Sequence, residues 1–323
     1  MNGGHVLVWL AFNVAVLALL AVDLTLFHRS PREMRVREAL GWTAMWVALA
    51  LLFNVVVYFL YLDHAFGFGL RAGEPLSGRA AALQFLTGYL IELSLSVDNL
   101  FVFLAIFKYF GVHGRHQHRV LFWGIVAAVA LRGTMIVAGV TLIQRFHALL
   151  YVLGAFVILT GIKLLREGAE EFDVEHNLVL RLSRRFLPVA TGQHGEKFMV
   201  RQGGRWMATP LALVLIVVNV TDVLFAMDSI PAVLAITHDS FIAYTSNFLA
   251  ILGLRAMYFA LAGVMGLFHY LRYGLAAVLI FVGVKMVVQD WFEIPVGISL
   301  GVVGGLIALS VLASVLRTRT TKA

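Results

Sequence analysis

The chain has 323 residues, of which 61% are hydrophobic and 13% charged, with a mean hydropathy of +0.89 and a formal net charge of +7. A soluble domain carries about a quarter charged residues, so this composition excludes an ordinary globular enzyme and points to a polytopic membrane protein. The absence of cysteine removes disulfide frameworks, thiolate metal sites and thiol redox relays.

Nine apolar runs follow in chain order: 6–27, 39–62, 80–107, 120–144, 147–165, 208–236, 245–268, 270–289 and 294–316. The first has the length of a signal peptide but lacks a basic n-region and a small-residue cleavage site, so it reads as a retained span. Orientation follows from the Lys/Arg bias. An outside N-terminus puts eighteen Lys and Arg on the cytoplasmic side and only Arg71, Arg79 and Arg145 on the other. The expected topology is therefore N-terminus out and C-terminus in. The basic residues sit in short loops and orient the spans, so nucleic acid is not an expected partner.

The only long inside segment is 166–206. Within it "EHNLVLRLSRRFLP" is a basic amphipathic pattern suited to a membrane surface. "EKFMVRQGGRWMATP" alternates around Gly203-Gly204 and predicts a short hairpin.

An internal repeat organises the rest. "ELSLSVDNLFVFLAI" (92–106) aligns with "DVLFAMDSIPAVLAI" (222–236) at an offset of 130, matching Glu92 with Asp222 and Asp98 with Asp228. Arg132 matches Arg255 at 123, and "GIKLL" (161–165) matches "GVKMV" (283–287) at 122. Each half reads acid, acid, Arg, then Gly-x-Lys. Three spans per unit force opposite orientations, the inverted repeat of many secondary transporters. The expected fold is all-α, with about nine transmembrane helices and an inverted repeat of spans three to five and six to eight. The chain divides into two N-terminal spans (1–79), a first repeat (80–165), a cytoplasmic loop (166–206), an inverted second repeat (207–289), and a last span with its tail (290–323).

A charge at the bilayer centre costs at least ~2.5–3.5 kcal/mol on insertion scales. Glu92, Asp98, Asp222 and Asp228 must therefore meet counter-charges, an ion or water. The intramembrane counter-charges are Arg132, Arg255, Lys163 and Lys285. Ion pairing alone is a poor stability device, because desolvation roughly cancels the attraction. The functional alternative is a cation site lined by carboxylates from both repeats. A spacing of six residues places Glu92 and Asp98 about 240° apart on a helix, so the two do not share a face. Pro231 cannot donate to the carbonyl of Met227 and predicts a break in span six. The available donors are oxygens, including Asn99, Asn219, Thr221 and Ser229. Hard oxygen sets suit manganese, calcium and magnesium. Carboxylates forced together away from water compete for protons as well as cations, so cation/proton antiport is chemically available. His113, His116 and His118 read as ordinary loop polarity, with metal capture at the inner mouth as the alternative, and Asp23 adds an acid at the cytoplasmic mouth.

At "AVDLTLFHR", "SVDNLFVF", "ATPL", "TDVLFAMDSIPA", "TSNFLAILGLRAMYFALAG" and "GVKM" the sequence resembles the TerC family of bacterial membrane proteins, closest to its Alx-like branch. The resemblance covers essentially the whole chain. It implies the LysE-type transporter superfamily, manganese ion efflux, and a looser association with tellurium resistance. The family's acids fall on Asp23, Glu92, Asp98, Asp222 and Asp228. Where relatives often carry Glu, this chain has Asn219, which keeps an oxygen donor but loses a charge.

The expectation is a multi-pass protein of the bacterial inner membrane that exports Mn2+ and is not an enzyme. Its metal site would comprise Glu92, Asp98, Asn99, Asn219, Asp222 and Asp228. No tightly bound cofactor is expected. Mn2+ is the transported substrate, calcium or another hard divalent ion the competitor, and protons the coupling ion. The alternatives are a non-transporting scaffold of a metal or tellurium stress complex, with the acids as structural ion pairs, and a cation channel.

Overall fold

The computed structural model describes residues 3–28, 36–70, 75–112, 114–146, 148–166, 197–202, 205–262, 270–288, 290–292 and 294–320. Ten α-helices and one hairpin make up the described chain. In order they are α1 (Gly3–His28), α2 (Val36–Leu62), α3 (Gly78–Tyr109), α4 (Gly114–Arg145) and α5 (Leu149–Arg166). The strands β1 (Met199–Gln202) and β2 (Arg205–Ala208) follow, and then α6 (Pro210–Leu234). The chain closes with α7 (Ser240–Leu252), α8 (Leu254–Ala262), α9 (Leu271–Val288) and α10 (Val296–Thr320).

Local chemistry sets where the central helices begin. Ser77 caps α3 by accepting from the Ala80 amide at 3.3 Å. Asp239 caps α7 by accepting from Phe241 at 3.0 Å and Ile242 at 3.2 Å, which starts that helix earlier than the apolar run suggests. Thr209 caps α6, and Pro210 stands in its first turn, where a missing N–H costs nothing. The predicted hairpin is present. β1 and β2 pair antiparallel, with Gln202 opposite Arg205 and Met199 opposite Ala208. It is tied to α6, because the Thr209 amide donates to Phe198 at 2.9 Å and its hydroxyl to Lys197 at 2.7 Å. The amphipathic part of the 166–206 loop lies outside the described residues.

Each of the nine predicted spans overlaps a described helix, span seven as far as Ala262. By length and composition, six described helices can cross a membrane, or seven if α7 and α8 form one bent span. The remaining two predicted spans fall on α5 and α9, each 18 residues and so about 27 Å long. One local expectation is corrected. Span six does not break at Pro231, since α6 runs through it to Leu234 and only the hydrogen bond to Met227 is lost. The break lies in span seven, where α7 and α8 meet at Gly253 with a bend of 41°.

The core sits on α3, whose apolar window is 67% buried, against 17–22% for α1, α2 and α10. These three lie outside a central set in which α3 packs on α6 and α7, α4 packs on α6 and α7, and α5 packs on α9. Exchanging α3 with α6, α4 with α7 and α5 with α9 maps this set of contacts onto itself. The α5–α9 seam obeys the exchange atom by atom. A Cβ on Gly161 would lie 2.9 Å from the Ala276 carbonyl and 2.8 Å from Ile280. A Cβ on Gly283 would lie 2.7 Å from the Gly154 carbonyl and 2.7 Å from Ile158. The repeat offset of 122 turns the first trio of positions into the second. Only glycine permits so close a backbone approach, the usual device where lipid leaves no hydrophobic force between helices.

Candidate functional site: a buried carboxylate–arginine cluster

Glu92 and Asp222 lie at the middle of α3 and α6, and Arg132 a little past the middle of α4. All three are shut away from the surface, Glu92 at 0%, Arg132 at 1% and Asp222 at 6% exposure. Arg132 grips Asp222 side-on, its Nη2 donating to Oδ1 at 2.8 Å and its Nε to Oδ2 at 3.3 Å. Its Nη1 donates to Glu92 Oε1 and reaches Ser229 Oγ at 3.4 Å. One guanidinium thus bridges a carboxylate of the first repeat and the aligned carboxylate of the second.

Two further side chains complete Glu92. Asn247 on α7 donates its Nδ2 to Oε2 at 2.7 Å, and Ser96 donates its hydroxyl to Oε1 at 3.3 Å. The sequence reasoning missed Asn247 as a site residue. Its one signal was an amide in the middle of the apolar "TSNFLAIL" run, a costly residue there unless it has a partner.

Electrostatically the cluster holds two acids against one base, all taken out of water. Such a group persists because each charge is paired and hydrogen-bonded; removing one partner leaves an uncompensated buried charge at about 3–5 kcal/mol. On α6 and α7 the Oδ1 atoms of Asn219 and Asn247 and the Oγ1 of Thr221 are buried without a hydrogen-bond donor. Acceptors in that state suit a cation, a proton donor or water. Asn219 spends its own amide on the Leu215 carbonyl at 2.7 Å.

The other expected site residues are distributed as follows. Asn99 is buried on α3 at 5% exposure. The side chains of Asp23, Asp98 and Asp228 lie outside the described residues. Arg255, 3% exposed, stands on α8 two residues past the bend. Lys285 is buried but donates to Ser299 on α10 at 3.1 Å. Lys163, in the last turn of α5, is exposed. Among the described side chains, Arg132 is the base that reaches Glu92 and Asp222. His118 stacks on Phe259 at 4.0 Å, and His113 is outside the described residues. Among the described residues no three His, Cys, Asp or Glu side chains gather closely enough to hold a metal.

Comparison with known proteins fits this architecture. The model of the integral membrane protein TerC family matches residues 77–322. An uncharacterised membrane protein of Myxococcus xanthus is 47% identical over 311 residues, covering 96% of this chain and 92% of the relative. Two proteins provisionally named membrane-bound redox modulator Alx are also similar. That of Salmonella typhi is 46% identical over 308 residues (95% of this chain, 93% of the relative). That of Escherichia coli K12 is 44% identical over 308 residues (95% and 94%). No solved structure matches the chain. With the family pattern running from α3 to the C-terminal tail and relatives similar over nearly the whole length, the chain belongs to the TerC family of integral membrane proteins.

Proposed function

We propose that this multi-pass protein exports manganese(II) across the bacterial inner membrane, from the cytoplasm outward, with inward protons as the driving ion. One observation carries the reading: a buried cation, the Arg132 guanidinium, is already held at mid-helix depth by carboxylates from both repeats. Glu92 and Asp222 supply hard oxygens held together by one guanidinium, and Asn219 and Thr221 on α6 and Asn247 on α7 carry buried acceptors without a donor, the oxygen chemistry that suits an ion such as manganese(II). Asp98, Asp228 and Asn99 belong to the same proposed site by sequence. Inverted repeats with N-terminus out place such a site at the repeat interface near the bilayer midplane. Calcium is the competing substrate, and no resident cofactor is required.

The relatives' name suggests a redox role. A chain without cysteine has no thiol to exchange, so a redox effect would arise through the metal it moves. A second reading, a membrane scaffold, also has an observation in its favour: the cluster is internally satisfied, as a structural ion network would be.

Cells carrying Asp98→Asn or Asp228→Asn separate the two readings. The transport reading expects loss of manganese tolerance and raised cellular manganese with normal membrane insertion. Normal manganese levels in both variants would remove those acids from the site.

A further inference from the structure

The two halves of the molecule agree at one level and disagree at another. At the α5–α9 seam the contacts of Gly161 and Gly283 are interchangeable under the repeat. At Glu92 and Asp222 they are not. The exchange applied to Arg132 bridging Glu92 and Asp222 gives Arg255 bridging Asp222 and Glu92, the same pair of acids. Both arginines are buried. One carboxylate pair therefore has two symmetry-equivalent guanidinium partners, and in this conformation Arg132 holds it.

The backbone carries the matching asymmetry. α7 and α8 bend by 41° at Gly253, two residues before Arg255, while α4 is continuous through Arg132. The repeat offset of 123 maps Gly253 onto Ala130, two residues before Arg132. That turn of α4 is weak. The Thr134 hydroxyl donates to the Ala130 carbonyl at 2.9 Å, competing with the helical bond of that carbonyl, and Gly133 adds backbone freedom. An open groove of about 730 Å³ lies against it, lined by Ala130, Gly133, Thr134, Val137, Trp9 and Tyr244 among others. A helix that is to bend needs both a weak turn and room beside it.

We propose that Arg132 and Arg255 are alternating occupants of one carboxylate pair. In the conformation described here Arg132 holds Glu92 and Asp222 and the bend lies at Gly253. In a second conformation Arg255 holds the same pair and the bend has moved to α4 at Ala130. The α5–α9 seam, already symmetric, stays fixed between them. Both arginines are then positioning residues. This rests on the transport reading for its purpose, since it gives each access state its own resting counter-ion, but the exchange itself needs no metal.

Hydrogen exchange of the full chain in nanodiscs, without added metal, tests it. Arg132→Gln should shift the population toward the Arg255-held conformation. Protection of residues 251–256 then rises and that of 128–133 falls, each by about tenfold. Arg255→Gln should produce the opposite: added protection at 128–133 and none at 251–256. Arg132→Lys, milder for folding, should move the same segments in the same direction as Arg132→Gln by less. Opposite signs for the two arginines support the exchange. Protection falling in both segments in either variant, or changing in neither, overturns it. Adding manganese to the wild-type chain is a separate arm. If manganese leaves exchange and melting unchanged while the variants behave as expected, the transport reading fails and the exchange stands.

Discussion

The α5–α9 seam and the acid cluster lie in the same helical core and use opposite chemistry. The seam is dry, built on Gly154, Gly161 and Gly283, and reads the same in either direction of the repeat. The cluster is charged, built on Glu92, Asp222 and Arg132, and among the described side chains Arg132 is the base on both acids. A seam of small residues fixes two helices at one distance and resists change, because any added atom meets backbone. A buried cluster of two acids served by one arginine at a time has a choice of partners. The difference teaches where the molecule is rigid and where it can switch.

This contrast is easiest to break with charge. Asp222→Asn or Glu92→Gln should reduce manganese flux to background while the protein still inserts; membrane fractionation and flux on the same preparation check both. Exchanging Glu92 and Arg132 with each other sharpens the point. A purely structural pair regains its melting temperature and its function, whereas a transport site regains stability and stays inactive. At the seam the effect should fall on stability. Gly283→Val forces a side chain against the Gly154 carbonyl and should cost about 1–3 kcal/mol, read as a lowered melting temperature. Asn247→Ala leaves Glu92 Oε2 without its 2.7 Å donor and should cost about 1–2 kcal/mol, less than losing Arg132. The smallest effect belongs to Thr209→Ala. It removes the cap of α6 and its bond to Lys197, for about 1 kcal/mol.

Much of the fold was legible because membrane helices announce themselves by length and apolarity. The repeat was legible because acids, arginine and Gly-x-Lys recur in one order. The hairpin around Gly203-Gly204 was legible from alternation. The bend at Gly253 was not, because a glycine in an apolar run shows nothing until Trp46 and the neighbouring helices pack around it. Pro231 gave a false signal, since a helix tolerates one missing bond near its end when the flanking turns are packed. Of the site, alignment matches Glu92 with Asp222 as equivalent positions and Arg132 is a natural partner for Glu92, but that the same arginine also holds Asp222 depends on how α4 rotates against α6. The lysines of the Gly-x-Lys motif looked like counter-charges because they recur. The glycine beside each proved to be the working part of the seam, while Lys285 turned to Ser299.

The most direct measurement is manganese flux in proteoliposomes of the purified chain, with and without an imposed pH gradient. The account predicts uptake that accelerates when protons run the opposite way and that vanishes in Asp222→Asn. Absence of flux from the wild-type chain, or flux indifferent to the proton gradient and to Asp222→Asn, would contradict it.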